Sequence, residues 1–215
     1  MKKSLFALAA IAALTASQFA AAQSAGTILV RARAVHLASA NTNSSDLKTT
    51  LSSIVGAPAE ASINDKWLPE VDFSYFFTPN IAAELILTYP QKQELSVSGA
   101  GKIGTFKHLP PTLTAQYHLT GLGALRPYVG AGVNFTNISD VQWESAVAQY
   151  NLNLKRNSYG LAAQIGADYD LGGGWLVNFD VKKVQIKTDV LSNGNKVGTL
   201  KLDPLLVGVG VGMKF

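Results

Sequence analysis

Three histidines, His36, His108 and His118, are the residues of this 215-residue chain best suited to metal or proton chemistry, and their spacing supports neither. They fall in separate stretches without local ligand spacing, and the chain has no cysteine to complete a site. Gly208, Gly210 and Gly212 alternate within an apolar run and open no helix, so they read as close packing in a strand rather than a nucleotide fingerprint. No serine occupies a Gly-x-Ser-x-Gly elbow, and His118 with Thr112 or Thr114 is the one remote counterpart of a base and its nucleophile. The expectation is a protein that is not an enzyme and needs neither cofactor nor metal.

The charged residues are more informative. Arg31, Arg33, Arg126, Lys182 and Lys214, and against them Glu70, Asp72, Glu84, Asp168 and Asp180, each stand on one face of a stretch whose alternate residues are apolar. Period-two alternation describes a strand with two different environments. Buried charges persist when partnered and hydrogen-bonded. Groups of both signs crowded inside a narrow closed sheet would therefore form a salt-bridge network that blocks its interior, the alternative being a conducting ion path.

The end of the chain shows the alternation most plainly. Leu205, Val207, Val209, Val211, Met213 and Phe215 share one face, while Leu206, Gly208, Gly210, Gly212 and Lys214 share the other. An uncharged apolar edge opposite a small or cationic one fits lipid outside and a tight lumen inside. Eight such runs are legible, at residues 27–36, 68–77, 81–89, 107–119, 126–138, 158–171, from 175 onward, and 200–215. The seventh loses phase near Lys183, which reads as a bulge or as the strand leaving the membrane. Short turns at 78–80, 121–125 and 172–174 alternate with long connections at 37–66, 90–106, 139–157 and 188–199, the asymmetry of an outer-membrane barrel. Within the first long connection, Leu47, Leu51, Ile54 and Val55 have helical spacing between a Ser45 cap and a Gly56 stop.

Composition and the chain's beginning agree with this architecture. Lys2 and Lys3, an apolar run over residues 5–14 and the small residues Ala20, Ala21 and Ala22 read as a signal peptide of residues 1–22, leaving a barrel of residues 23–215. The formal charge of +4 loses two lysines with that leader and becomes +2, so the basic balance does not point to nucleic acid. No later stretch approaches the roughly 20 apolar residues of a spanning helix. Only a closed barrel can then satisfy its backbone in hydrocarbon, and a mean hydropathy of +0.16 fits strands with one face in lipid. Phe76, Phe77, Tyr89, Tyr117, Phe135, Tyr159, Tyr169, Trp175 and Phe215 gather at run ends, as interfacial girdles would or as ordinary strand propensity would.

The segment His108-Leu109-Pro110-Pro111-Thr112-Leu113, continuing to Ala115-Gln116-Tyr117, and Arg126-Pro127-Tyr128-Val129-Gly130-Ala131-Gly132 with Asn134 resemble the OmpW family of small outer-membrane proteins. Trp175-Leu176-Val177-Asn178, Leu202-Asp203-Pro204 and the terminal aromatic fit as well. The resemblance implies an all-β fold, an eight-stranded antiparallel barrel in the bacterial outer membrane. It also implies passage of small hydrophobic molecules by a side exit. In the same comparison Ile86 falls where the family has an apolar lumen constriction. Lys182 falls where some members carry an aromatic, a departure from a purely hydrophobic gate.

An eight-stranded barrel is just wide enough to be filled by side chains, which argues against an open aqueous channel. The expected alternative is an apolar pocket near the extracellular end, with Trp67, Leu68, Phe76, Ile86, Phe106, Leu109 and Trp143 as its candidate lining. Pro110 and Pro111, lacking the N–H a ladder needs, would either open pairing toward lipid or simply mark a strand start after a loop. The partners expected are outer-membrane lipid and small hydrophobic solutes, without nucleic acid. Two rival readings are a barrel that presents loops to phage, bacteriocins or host surfaces, and a soluble lipid-binding barrel with its apolar face inward.

Overall fold

A computed structural model describes residues 24–215, so the expected leader of residues 1–22 lies outside the described residues. The chain forms β1 (Ile28–Ala38), β2 (Thr42–Asn43), helix α1 (Ser45–Val55), β3 (Ala61–Ile63), β4 (Lys66–Phe76) and β5 (Ile81–Thr88). It continues through β6 (Gln91–Val97), β7 (Gly101–Leu109), β8 (Thr112–His118), β9 (Leu125–Trp143) and a 3-10 turn (Ser145–Tyr150). Then come β10 (Leu152–Leu154), β11 (Asn157–Gly172), β12 (Trp175–Val184), β13 (Lys187–Ser192), β14 (Asn195–Lys201) and β15 (Leu205–Lys214).

Eight of these close into a barrel. Antiparallel pairing runs β1-β4-β5-β8-β9-β11-β12-β15, and β15 pairs back onto β1. Closure leaves no free edge in hydrocarbon. The alternation faces the way lipid demands: Val209 and Val211 are about half exposed while Arg31, Glu84 and Asp168 are at most 1% exposed. This excludes the soluble barrel with an apolar interior. Of the expected girdle, Phe77, Tyr117, Tyr169, Trp175 and Phe215 point outward near the short turns, and Tyr89, Phe135 and Tyr159 near the long connections. Phe76 does not join them. It shares the inward parity of Glu70 and Asp72 on β4 and is fully buried.

Above the barrel the long connections are themselves structured. β9 continues upward to pair with β7, which carries β6 and β3, while β10, β13, β14 and β2 form a second small sheet. The run at 107–119 is thus two strands, β7 and β8, parted at Pro110 and Pro111. The phase loss near Lys183 is the strand leaving the barrel: β12 ends at Val184, and β13 starts the upper sheet at Lys187.

Helix α1 forms where its spacing predicts, with a shifted cap. Ser44 rather than Ser45 is the N-cap; its Oγ accepts from Leu47 N–H at 3.4 Å and from Thr199 N–H at 2.9 Å. The second bond ties the helix to β14. Gly56 closes the helix in the left-handed region at φ 76°, donating its N–H to Ser52 O.

Candidate functional site

The lumen is crossed by a buried ionic plug. Arg31 donates from Nε and Nη2 to the two Asp168 oxygens at 3.0 and 2.7 Å, and from Nη1 to Asp72 Oδ1 and Ser74 Oγ, both at 2.9 Å. Arg33 meets Glu70 at 2.9 Å, Asp72 at 2.6 Å and Glu84 at 3.1 Å. Lys182 Nζ donates to Glu70 at 2.8 Å and Asp180 at 2.7 Å. These contacts follow from strand parity and register, since Arg31 pairs with Asp72 and Arg33 with Glu70 between β1 and β4.

The plug holds five carboxylates, Glu70, Asp72, Glu84, Asp168 and Asp180, against three cations, Arg31, Arg33 and Lys182. Neutral donors support the excess. Tyr128 Oη donates to Asp180 at 2.8 Å, Gln164 Nε2 to Glu84 at 2.7 Å, Thr114 Oγ1 to Glu84 at 3.2 Å and Asn178 Nδ2 to Asp168 at 2.8 Å. Below it Leu29, Phe76, Ala82 and Leu176 form a small apolar layer, and the His118 ring packs between Phe76 and Tyr128 at 4.8 and 4.9 Å. Charge and packing together close the lumen toward the short turns. Arg126 and Lys214, expected in the same network, instead meet Asp170 at the periplasmic rim. Alternation gives the face of a residue but not its depth.

Above the plug the wall itself is interrupted. Pairing of β5 with β8 stops at Ile86 and Thr112, and pairing of β6 with β7 resumes at Gln91 and His108. Residues 87–90 therefore face residues 109–111 without ladder bonds, with one more residue on the first side than the second. The proline carbonyls turn to side chains. Asn134 Nδ2 donates to Pro110 O and Pro111 O, each at 3.2 Å, and Thr112 Oγ1 donates to Pro110 O at 3.1 Å. Phe135 N–H holds Pro111 O at 3.1 Å, so the seam with β9 is bonded while the seam facing β5 is not.

Two cavities lie inside this window. The first, about 20 Å³, is lined by Leu68, Ile86, Thr88, His108, Pro110 and Lys182 among others. Both His108 ring nitrogens and Thr88 Oγ1 are buried there without a hydrogen-bond partner among the described residues. The second, about 100 Å³, is roofed by α1 and lined by Leu47, Leu51, Leu95, Ile103, Trp143 and Leu200, with other apolar residues. One continuous apolar cluster joins them, running from Leu47 and Leu200 through Phe106 and Ile138 to Val184 and Ile186.

The expected pocket residues divide accordingly. Leu68 and Ile86 line the lower cavity, Trp143 lines the upper one, Phe106 belongs to the cluster between them, and Leu109 is half-buried at the window. Trp67 is a correction: 65% exposed, it lies on the lipid face of β4 against the His36 ring at 5.2 Å, because the inward residues of that strand are the even-numbered ones. Phe76 is another, since it lies beneath the plug. Sequence reasoning missed Asn134, Thr88 and His108 at the window, and the helix roof of the upper cavity.

The sequence profile of the OmpW family matches residues 24–215. An outer-membrane protein of Sinorhizobium fredii, y4mB, is 42% identical over 170 residues, covering 76% of this chain and 72% of its own. The dibenzothiophene metabolism operon protein PahQ of Pseudomonas aeruginosa is 32% identical over 170 residues, covering 75% and 77%. The crystal structure of the outer membrane protein OprG from Pseudomonas aeruginosa superposes with a TM-score of 0.76 at 27% identity, over 90% of this chain and 97% of that one. A closed barrel with lipid-facing apolar strands and a profile match across the described residues together establish that the chain belongs to the OmpW family and resides in the outer membrane.

Proposed function

We propose that the barrel lets small hydrophobic molecules pass without energy coupling from outside the cell into the outer membrane, and that it performs no covalent chemistry. A solute enters the cavity beneath α1, moves down the apolar cluster to the lower cavity and leaves sideways between residues 87–90 and 109–111. The observation that carries this reading is the continuous apolar cluster ending beside an unbonded wall directly above a plugged lumen. Transfer of apolar surface out of water, about 25 cal/mol per Å², supplies the driving force. The cavities are smaller than such solutes, so side chains of the cluster part as the solute moves. PahQ, named for an operon of dibenzothiophene metabolism, supports an uncharged, fused-ring cargo.

The test is uptake of dibenzothiophene into liposomes carrying the mature protein or its Leu51→Trp variant. Leu51 lines the upper cavity from the helix, and the larger ring fills that space while leaving the plug untouched. We expect uptake above that of protein-free liposomes by roughly an order of magnitude, and a fall of about fivefold in the variant, from the loss of a pocket worth roughly 1 kcal/mol. Wild-type uptake equal to protein-free liposomes would return the protein to the rival reading of a barrel that presents its loops.

A further inference from the structure

One face of the upper barrel carries more cations than acids. Arg156, Lys183, Lys187 and Lys201 are all exposed, and none of their side chains has a carboxylate partner among the described residues. On the β6–β7 side Lys102 meets Glu144 at 3.3 Å, Lys107 meets Asp140 at 2.6 Å and Lys48 pairs with Glu60, while Lys66 and Lys92 have no carboxylate partner among the described residues. Lys92 stands opposite Lys107, whose charge Asp140 takes up. The two acids nearest the bare cations are engaged. Asp189 takes Lys196 at 2.8 Å and Thr199 Oγ1 at 2.8 Å, and Asp203 accepts the Ile186 N–H at 2.9 Å. Lys187 and Lys201 stand directly opposite each other in the β13–β14 ladder, an arrangement that repulsion disfavours.

The cations sit just above a lipid-facing groove. Along β12 the outward residues are Trp175, Val177, Phe179 and Val181 before Lys183, so charge begins where the apolar belt ends. Two recesses lie among the cations, one lined by Lys155, Lys187 and Asp189 and the other by Lys187, Lys201 and Asp203, and both include Tyr159. Directly below, Leu85, Leu113, Val133, Phe135 and Leu161 line an open groove on the outer wall, which shares Tyr159 and Gln185 with the second recess. Tyr159 is 72% exposed with a polar tip at the junction, as at a membrane interface.

We propose that this face binds a phosphorylated, multiply acylated glycolipid of the outer leaflet, with acyl chains in the groove and phosphate between Lys187 and Lys201. The phosphate relieves the opposed lysines, and Lys183 and Arg156 extend the positive field on either side. The cations line neither cavity of the solute path, but the groove also takes in Pro111, Thr112 and Asn134 at the window, so the acyl chains lie beside the proposed side exit. Lipid binding is read directly and does not depend on uptake.

The test is native mass spectrometry of the folded mature protein in detergent micelles doped with bis-phosphorylated lipid A, with its dephosphorylated form, or with inorganic phosphate as competitor. A Lys187→Glu/Lys201→Glu double variant is compared with Lys102→Glu/Lys107→Glu, which changes net charge equally at two acid-matched lysines. Folding of each is checked by heat-modifiable gel migration. Wild type and the Lys102/Lys107 variant should retain the phosphorylated lipid, and the Lys187/Lys201 variant should bind it at least about tenfold more weakly, given roughly a tenfold effect per one to two lysines near an anionic lipid surface. Equal loss in both variants, equal binding of the dephosphorylated lipid, or displacement by millimolar inorganic phosphate would each overturn the proposal. If the Lys187/Lys201 variant fails to fold, Lys187→Gln/Lys201→Gln carries the same expectation with a smaller effect.

Discussion

Arg31→Met is expected to destabilise the barrel by roughly 3–5 kcal/mol, the cost of leaving buried charges without their partner. Arg31 is fully buried and serves Asp168, Asp72 and Ser74 at once. The plug already holds more carboxylates than cations, so losing an arginine widens the imbalance where water cannot compensate. Removing an acid narrows it. Asp72→Asn should therefore cost much less than Arg31→Met, although both residues share the same contact at 2.9 Å. Asp168→Asn added to Arg31→Met should recover part of the loss, because contacting residues do not act additively. Urea unfolding in lipid vesicles, followed by tryptophan fluorescence, measures all four proteins. Equal costs for Arg31→Met and Asp72→Asn would mean that shape rather than charge balance holds the plug together.

Gly210→Val should impair barrel closure, at the upper end of the roughly 1–3 kcal/mol typical of overpacking. A Cβ at Gly210 would lie 2.1 Å from the Ala32 carbonyl oxygen and 2.8 Å from Arg33 Cα. These are backbone atoms of β1, the strand that β15 must meet to close the sheet, and Gly210 pairs with Arg33 itself. A rotamer change cannot relieve such a clash, so the two strands must separate and disturb Arg33 in the plug. Gly208→Ala is the gentler comparison: its nearest contact is a Val35 methyl at 3.1 Å, which can shift. Slower folding into vesicles and a lower urea midpoint for Gly210→Val than for Gly208→Ala are the expected readings.

The strands and their facing were legible because lipid and a charged lumen impose opposite demands on alternate residues. Arg31, Arg33, Glu70, Asp72, Glu84, Asp168, Asp180 and Lys182 could be placed inward by parity alone, and register then joined them. Alternation does not encode depth, so nothing in the sequence separates Arg126 and Lys214, which meet Asp170, from the plug that lies above them. Trp67 and Phe76 are apolar residues that look close to a loop or inward-facing in sequence, whereas the parity of β4 puts one in lipid and the other under the plug. The cavity beneath α1 draws Leu47, Leu95, Ile103, Trp143 and Leu200 from five separate elements, and no periodic pattern encodes that convergence. The prolines marked the break in the wall, but the role of Asn134 in holding their carbonyls needed coordinates.

Extending the β5–β8 register beyond Ile86 and Thr112 puts Thr88 opposite Pro110, and both line the lower cavity. Because the chain has no cysteine, Thr88→Cys/Pro110→Cys creates a single cystine able to staple the window shut and to be released by a reductant. Dibenzothiophene uptake into liposomes, measured on that one protein before and after reduction, probes the side exit directly. Uptake should lie near the protein-free level in the oxidised protein and recover to the wild-type level on reduction. Equal uptake in the two states, with the cystine verified by mass, would show that solutes do not leave through this wall.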